Sequence, residues 1–383
     1  MELKTTGVVD FARSPISKAK KGALNAVSPL ELASQVLTAL LERNPKLPKD
    51  RVEMVVCGTA YPEGEQGLNV GRQIAIKAGL PDTTAGITVN QFCASSQQAV
   101  MMISDALACG KGDIGIAVGL EHMSRIPQGG YNPAFDKGLY EQEFYIGMGG
   151  TAENLAKDGS ITREDQEDFA AKSHEKALKA WADGAWGKEV VAITLPDGST
   201  CEKDEFPREP NREKMASLKP AFDKEGTVTA ATSSPLSIGA AVVILATEEA
   251  AKELGLELRA TIETTAVAGC DPTRMGLGPI PATEKVMKRT GLTINDMDVI
   301  ELNEAFAAQS LAVIRNGGWT DHMDKINPMG GALAIGHPLG MSGARIIGTT
   351  ITALEACQGK YGLATMCVGG GQGASTILKR AGA

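Results

Sequence analysis

The sequence predicts a layered α/β protein made of two similar domains with a further lobe inserted in the first. Three observations carry that prediction. Glycine is abundant at 44 residues while aromatic residues make up only 4%, a composition that suits backbones in close approach. A strand, helix, strand plan around Cys93 recurs towards the C-terminus. Between the two copies, over residues 122–236, composition turns polar and charged and is interrupted by Gly129-Gly130, Gly149-Gly150 and the stretch 207–212. At 383 residues and 40.0 kDa the chain exceeds a single core.

Taken in order, Gly7-Val8-Val9-Asp10-Phe11 reads as a strand. Ser28-Pro29-Leu30-Glu31 combines a capping serine, a proline at the first helical position and a glutamate at the third, so a helix runs from there to Leu41. Residues 51–57 and 86–89 read as strands, 95–109 as a mostly apolar helix stopped by Gly110, and 114–118 as a buried strand. In the polar lobe a helix starts at Thr162, with Asp165 placed to reach back as the capping acid. Residues 298–302, 363–368 and 375–378 are strands and 341–357 a helix. Ile87-Thr88-Val89-Asn90 before Cys93 mirrors Lys325-Ile326-Asn327 before Gly330-Gly331, which makes the two halves alike in plan.

Several function classes are excluded by composition. A net charge of -8 argues against general nucleic-acid affinity. The seven cysteines, Cys57, Cys93, Cys109, Cys201, Cys270, Cys357 and Cys367, are odd in number and scattered, with no Cys-x-x-Cys pair, so neither a disulfide framework nor a metal site is expected. The longest strongly apolar run, 240–246, is far short of the roughly 20 residues that span a bilayer. With no basic region and apolar core at the N-terminus, a soluble cytoplasmic protein is expected.

The chemistry rests on four segments. Val-Asn-Gln-Phe-Cys93-Ala-Ser-Ser places a thiol where a strand hands over to a helix, facing unpaired backbone amides and the positive helix end, features that lower a thiol pKa. The bland reading is a small buried cysteine, and Cys57, Cys109, Cys270 and Cys357 are left to it. Gly-His337-Pro-Leu-Gly sets an imidazole among glycines just before a buried helix, where it could deprotonate a thiol. Cys367 ends a strand and precedes Gly369-Gly370-Gly371, whose amides could form an anion nest, although a plain tight turn would leave the same trace. Asn303, in Asn-Glu-Ala-Phe, could hold a water or a carbonyl oxygen, or simply cap a helix.

Together these segments resemble the thiolase family along essentially the whole chain. Gly119-Leu-Glu-His-Met-Ser, Thr151-Ala-Glu-Asn, Leu218-Lys-Pro-Ala-Phe, Gly226-Thr-Val-Thr-Ala and Gly269-Cys-Asp-Pro-Thr-Arg-Met-Gly-Leu-Gly-Pro add to the resemblance in order and spacing. It implies the thiolase fold: two αβαβα-layered domains, each a five-stranded mixed sheet with a buried central helix, plus a loop domain that binds coenzyme A. The expected division is residues 1–121 with 237–257, the inserted loop domain 122–236, and residues 258–383.

By the same resemblance Cys93 is the acyl-accepting nucleophile, His337 its base, and Cys367 the acid/base at the α-carbon of acetyl-CoA. Asn303, through a water, and His337 form one oxyanion hole, and the amides of Cys93 and Gly369 the other. Ser234, Phe222 and Arg208 contact coenzyme A, with Arg208 one residue out of the family spacing, and Met148, Met275 and Phe306 line the pantetheine and acyl channel. Coenzyme A is a co-substrate, with no bound cofactor. A homodimer or homotetramer is implied, with a hydratase/dehydrogenase subunit as a further partner in β-oxidation.

Departures bear on the subtype. Gly147-Met148-Gly149-Gly150 stands where biosynthetic members have His-Met-Gly, and Thr232-Ser233-Ser234-Pro235-Leu236-Ser237 resembles the degradative type. Ile238 replaces a common Asp, and Met329 stands where Asn often precedes two glycines. The expected activity is thiolytic cleavage of 3-ketoacyl-CoA. Its alternatives are a biosynthetic acetoacetyl-CoA thiolase and a non-catalytic assembly subunit, against which retention of Cys93, His337 and Cys367 argues.

Overall fold

The computed structural model describes residues 3–383. In chain order the first part holds β1 (Thr6–Arg13), β2 (Ser17–Lys18), α1 (Pro29–Arg43), β3 (Val52–Gly58), α2 (Val70–Lys77), β4 (Ala85–Val89), α3 (Ser95–Ala108) and β5 (Ile114–His122). Next come α4 (Lys137–Glu141), α5 (Met148–Asp158), α6 (Arg163–Ala182), the two-stranded ribbon β6 (Ile193–Thr194) and β7 (Thr200–Cys201), and α7 (Arg212–Ser217). The chain continues through β8 (Ser237–Thr247), α8 (Glu248–Leu254), β9 (Ala260–Gly269), α9 (Pro279–Thr290), β10 (Val299–Leu302), α10 (Ala307–Asn316), α11 (Ala332–Ile335), α12 (Ser342–Cys357), β11 (Tyr361–Val368) and β12 (Gln372–Arg380).

Local signals act as expected at several ends. Ser28 Oγ accepts from Glu31 N at 3.2 Å, and Thr162 and Asp165 form a reciprocal capping box at the head of α6. The helices α2, α5, α9 and α10 were not anticipated. Three of them begin without a side-chain cap and the fourth, α9, opens on Gly278 and Pro279 with no cap bond either, so packing against the sheet and the lobe sustains them.

The main strands run β10-β11-β12-β9-β1-β8-β5-β3-β4, with β2 paired to β8. The halves are joined where β1 pairs antiparallel with β9 through Gly7↔Thr261 and Val8↔Ala260, giving one continuous mixed sheet. It wraps around α3 and α12, which pack on each other and share a core with both halves. On the outside α1 and α2 cover the first half, and α9 and α10 the second. The order helix, sheet, helix, sheet, helix follows.

One expectation changes. The second half has four strands, and its expected fifth is a single parallel bridge, Ile300↔Ile326. Asn327 turns to a φ of 45°, and its side-chain amide takes the next rung, accepting from Leu302 N and donating to Leu302 O, each at 2.8 Å. A side chain thereby replaces the backbone that would have extended the strand.

Residues 123–236 leave at the end of β5 and return at the start of β8, where His122 pairs with Ile238. The polar lobe is thus a connection between two neighbouring strands, standing over the end of the sheet where Cys93 and His337 lie.

Candidate active site

Cys93 sits in a 3-10 turn, Phe92–Ala94, between β4 and α3. Phe92 holds a φ of 45°, unusual for a bulky residue. Phe92 N donates to Asn90 Oδ1 at 2.8 Å, Gln91 N to Ser95 Oγ at 2.9 Å, and that hydroxyl donates to Phe92 O at 2.6 Å. These bonds hold the strained turn. It packs against the turn Leu339–Met341, just beyond His337, and against β11, which carries Cys367.

His337 follows Gly336, whose φ is 105° and where a Cβ would lie 2.7 Å from Ser237 Oγ, so glycine is required. His337 N donates to Ser237 Oγ at 3.2 Å. The buried ring has Nδ1 2.6 Å from Ser342 Oγ and Nε2 3.3 Å from Asn303 Nδ2. Asn303 N donates to Thr365 O at 3.0 Å, and α10 begins later, after Phe306, so Asn303 is no helix cap. Its buried Oδ1 has no partner in the protein.

Cys367 lies at the end of β11 beside Gly373 of β12. In the connecting turn Gly370 and Gly371 have φ of 76° and 80°, and a Cβ on Gly371 would strike Cys270 O. The turn brings the Gly369 N–H close enough to Cys93 to favour its thiolate.

The electrostatics reverse one expectation. Burial pushes the Cys93 thiol up to about 12, against the pull of the Gly369 N–H and its own N–H, with Glu121 adding to the rise. The amide effect read from sequence is present but loses to desolvation. Burial likewise holds Cys367 well above the ordinary thiol value, and its proximity to Cys93 and Cys270 adds to this. His337 is pushed down to about 3 by burial and then by the Arg345 charge. Two neutral thiols and a neutral imidazole therefore meet in a buried site.

The residues expected to line a channel also converge: Met148, Met275 and Phe306 share one apolar cluster with Cys367. Phe222 is 51% exposed and stacks edge-on against Phe306 with centroids 5.8 Å apart. A Cβ on Gly149 would enter the Phe222 ring, which accounts for the small residue there. Ser234 N donates to Ala305 O at 3.0 Å beside them. Arg208 is exposed, with Nη1 donating to Phe206 O at 3.3 Å. Among the described residues no group of three or more His, Cys, Asp or Glu is placed to hold a metal ion.

The family model for the thiolase N-terminal domain matches residues 6–249, and that for the thiolase C-terminal domain matches residues 256–380. The chain belongs to the thiolase family. A relative described as a 3-ketoacyl-CoA thiolase from Idiomarina loihiensis is 44% identical over 99% of this chain and all of its own. One of the same description from Vibrio vulnificus is also 44% identical over the same shares. Among solved thiolase structures, human mitochondrial 3-ketoacyl-CoA thiolase superposes with a TM-score of 0.91 at 32% identity over the whole of both chains. The Bacillus anthracis acetyl-CoA acetyltransferase gives 0.90 at 37% over 99% of each.

Three residues of this thiolase were missed in the sequence. Glu121 accepts from Ala60 N at 2.8 Å, Gln66 Nε2 at 2.8 Å and Gly340 N at 2.9 Å, tying the first half to the turn behind His337. Its signal was an acid near the end of β5, after a run of apolar and glycine residues. Ser237 and Ser342 hold the backbone and ring of His337, and no spacing announced Ser237. Ser342, five residues past the histidine at a helix start, could have been read as a candidate partner.

Proposed function

We propose that this thiolase is a 3-ketoacyl-CoA thiolase, cleaving 3-ketoacyl-CoA with coenzyme A to acetyl-CoA and a shortened acyl-CoA. The observation that carries the reading is the meeting of Cys93, the His337–Asn303 pair and Cys367 in one buried site. The curated relatives' description supports the degradative subtype.

In this reading His337 Nε2 takes the thiol proton as Cys93 Sγ attacks the 3-keto carbon. Because both partners rest neutral, the transfer accompanies attack instead of preceding it. The alkoxide collapses, the C2–C3 bond breaks, and its electron pair passes to the acetyl-CoA enolate. Cys367 gives its proton to that carbon, releasing acetyl-CoA and leaving an acyl thioester on Cys93. The His337 proton returns to the Cys367 thiolate; His337 then takes the thiol proton of a second coenzyme A as that thiol attacks the thioester, and passes it to the departing Cys93 sulfur as the shortened acyl-CoA is freed. Gly369 N–H and Cys93 N–H serve one oxyanion, and His337 with a water accepted by Asn303 Oδ1 the other. Ser234, Phe222, Met148, Met275 and Phe306 receive the coenzyme A arm and acyl chain, with Arg208 at its outer end.

The division into 1–121 with 237–257, 122–236 and 258–383 belongs to the same proposal, the middle piece covering the substrate. So do a cytoplasmic location, a homodimer or homotetramer and a hydratase/dehydrogenase partner. The exposed edge of the sheet at β4 supports pairing with a second copy. Likeness to the acetyl-CoA acetyltransferase favours a second reading, biosynthetic condensation of acetyl-CoA.

Thiolysis of acetoacetyl-CoA and of medium- and long-chain 3-ketoacyl-CoA, with Cys93→Ala as control, decides between them. Activity on long chains that vanishes in the variant is expected. Activity confined to acetoacetyl-CoA would favour the second reading, and none on any substrate would refute both.

A further inference from the structure

We propose that Ser342 is a positioning residue that holds His337 as the Nδ1–H tautomer, leaving the Nε2 lone pair to face Cys93. This rests on the reading of His337 as the base. Burial keeps the ring neutral, so it has one N–H and one lone pair to place.

Two arrangements satisfy the neighbours to different degrees. Ser342 Oγ lies 2.6 Å from Nδ1 and 3.0 Å from the carbonyl of Pro338. A carbonyl only accepts, so the single hydroxyl proton goes to Pro338 O, and Nδ1–H must donate to Oγ. Nε2 then accepts from Asn303 Nδ2 at 3.3 Å, and all three contacts are hydrogen bonds. In the opposite tautomer the hydroxyl turns to Nδ1 and Nε2–H meets the Asn303 NH2, two donors face to face. Rotating the amide would cure that clash but would still leave two bonds in place of three. The long Asn303 bond is weak enough to yield when Nε2 gains the thiol proton.

The ordinary role for a serine at a helix start is a cap, and Ser342 does not perform it. It is the first residue of α12, its hydroxyl accepts from no helix amide, and it is almost wholly buried. The hydroxyl is spent on the ring and on the carbonyl four residues back. An orienting group on the far nitrogen of a catalytic imidazole is a known way to fix its tautomer.

The test begins with the unaltered protein. With 15N-labelled histidine, and with His337→Asn to assign the signal, His337 is expected to show a protonated-type Nδ1 and a lone-pair Nε2. Ser342→Ala is expected to mix the tautomers and slow acylation of Cys93 by 3-ketoacyl-CoA roughly 10- to 100-fold with little change in KM for coenzyme A. Ser342→Thr, which keeps the hydroxyl, is expected to restore the tautomer and most of the rate. An Nε2–H tautomer in the unaltered protein overturns the proposal whether or not any variant folds. So does a Ser342→Ala protein with unchanged tautomer and unchanged acylation. If His337→Asn acylates Cys93 at the normal rate, the base reading itself has failed, an outcome distinct from the other two.

Discussion

Gly343→Ala probes how closely the two central helices must lie for the site to work. A Cβ at Gly343 would stand 2.7 Å from Gln97 Cβ and 2.9 Å from its Cα, and nearer still to its backbone nitrogen, whereas ordinary contact begins at 3.4 Å. Neither side can give easily. Gln97 Nε2 donates to Ala364 O at 3.1 Å and Thr376 Oγ1 at 3.0 Å, and Ala344 N donates to Ser96 Oγ at 2.8 Å. The added methyl therefore drives α3 and α12 apart by roughly 1 Å, the displacement that typically costs about 10²-fold in rate when it separates reacting groups. Here it separates the turn of Cys93 from the loop of His337, because each precedes one of these helices.

Stability should move much less than rate. Overpacking costs about 1–3 kcal/mol, while replacing a helical glycine by alanine returns about 1 kcal/mol, leaving a loss of roughly 0–2 kcal/mol. The assay pairs thiolysis kinetics with urea unfolding, using Gly187→Ala, where nothing lies within 4 Å, as control. A Gly343→Ala protein that is folded and keeps kcat within twofold of wild type would refute the reasoning.

Two further outcomes are expected. Arg13→Met leaves Asp204 and Glu189 buried without the guanidinium that bonds them at 2.8–3.2 Å, and a urea titration should show a loss of about 3–5 kcal/mol. The stability contributed by three histidines should also fall as pH drops below about 6.5, because burial holds His122 and His174 down to about 4 and His337 to about 3. At these three positions the unfolded chain takes up protons in that window while the native one does not, so they favour unfolding in acid, whereas Glu121, Glu189, Glu301 and Glu304, raised by burial, act in the opposite direction. The urea midpoint read between pH 7 and 4 for wild type and for His174→Gln isolates that contribution: the wild type should lose more stability towards acid than the variant, and equal losses would contradict it.

Much of the site was legible because its parts carry local marks. His337 stands beside a glycine that the backbone demands, Cys367 precedes a turn whose positive φ values only glycine takes easily, and Thr162 and Asp165 cap α6 through bonds three residues apart. Ser342 and Glu121 were harder to see, since each acts on groups brought from elsewhere in the chain. The Gly340 amide that Glu121 accepts is 219 residues away.

Residue types and their order alone determined the layered α/β class, the repeated plan, the three candidate reactive side chains and the family resemblance, because each depends on contacts within a few positions. Tertiary structure decided the rest. It joined the halves into one sheet through two residue pairs, reduced an expected strand to a bridge at Ile326, and turned the Cys93 thiol from one favoured to ionise into one held neutral. That last reversal has a plain cause: a helix end acts over one turn, but desolvation sums over every group packed around the sulfur, and those groups come from both halves of the chain.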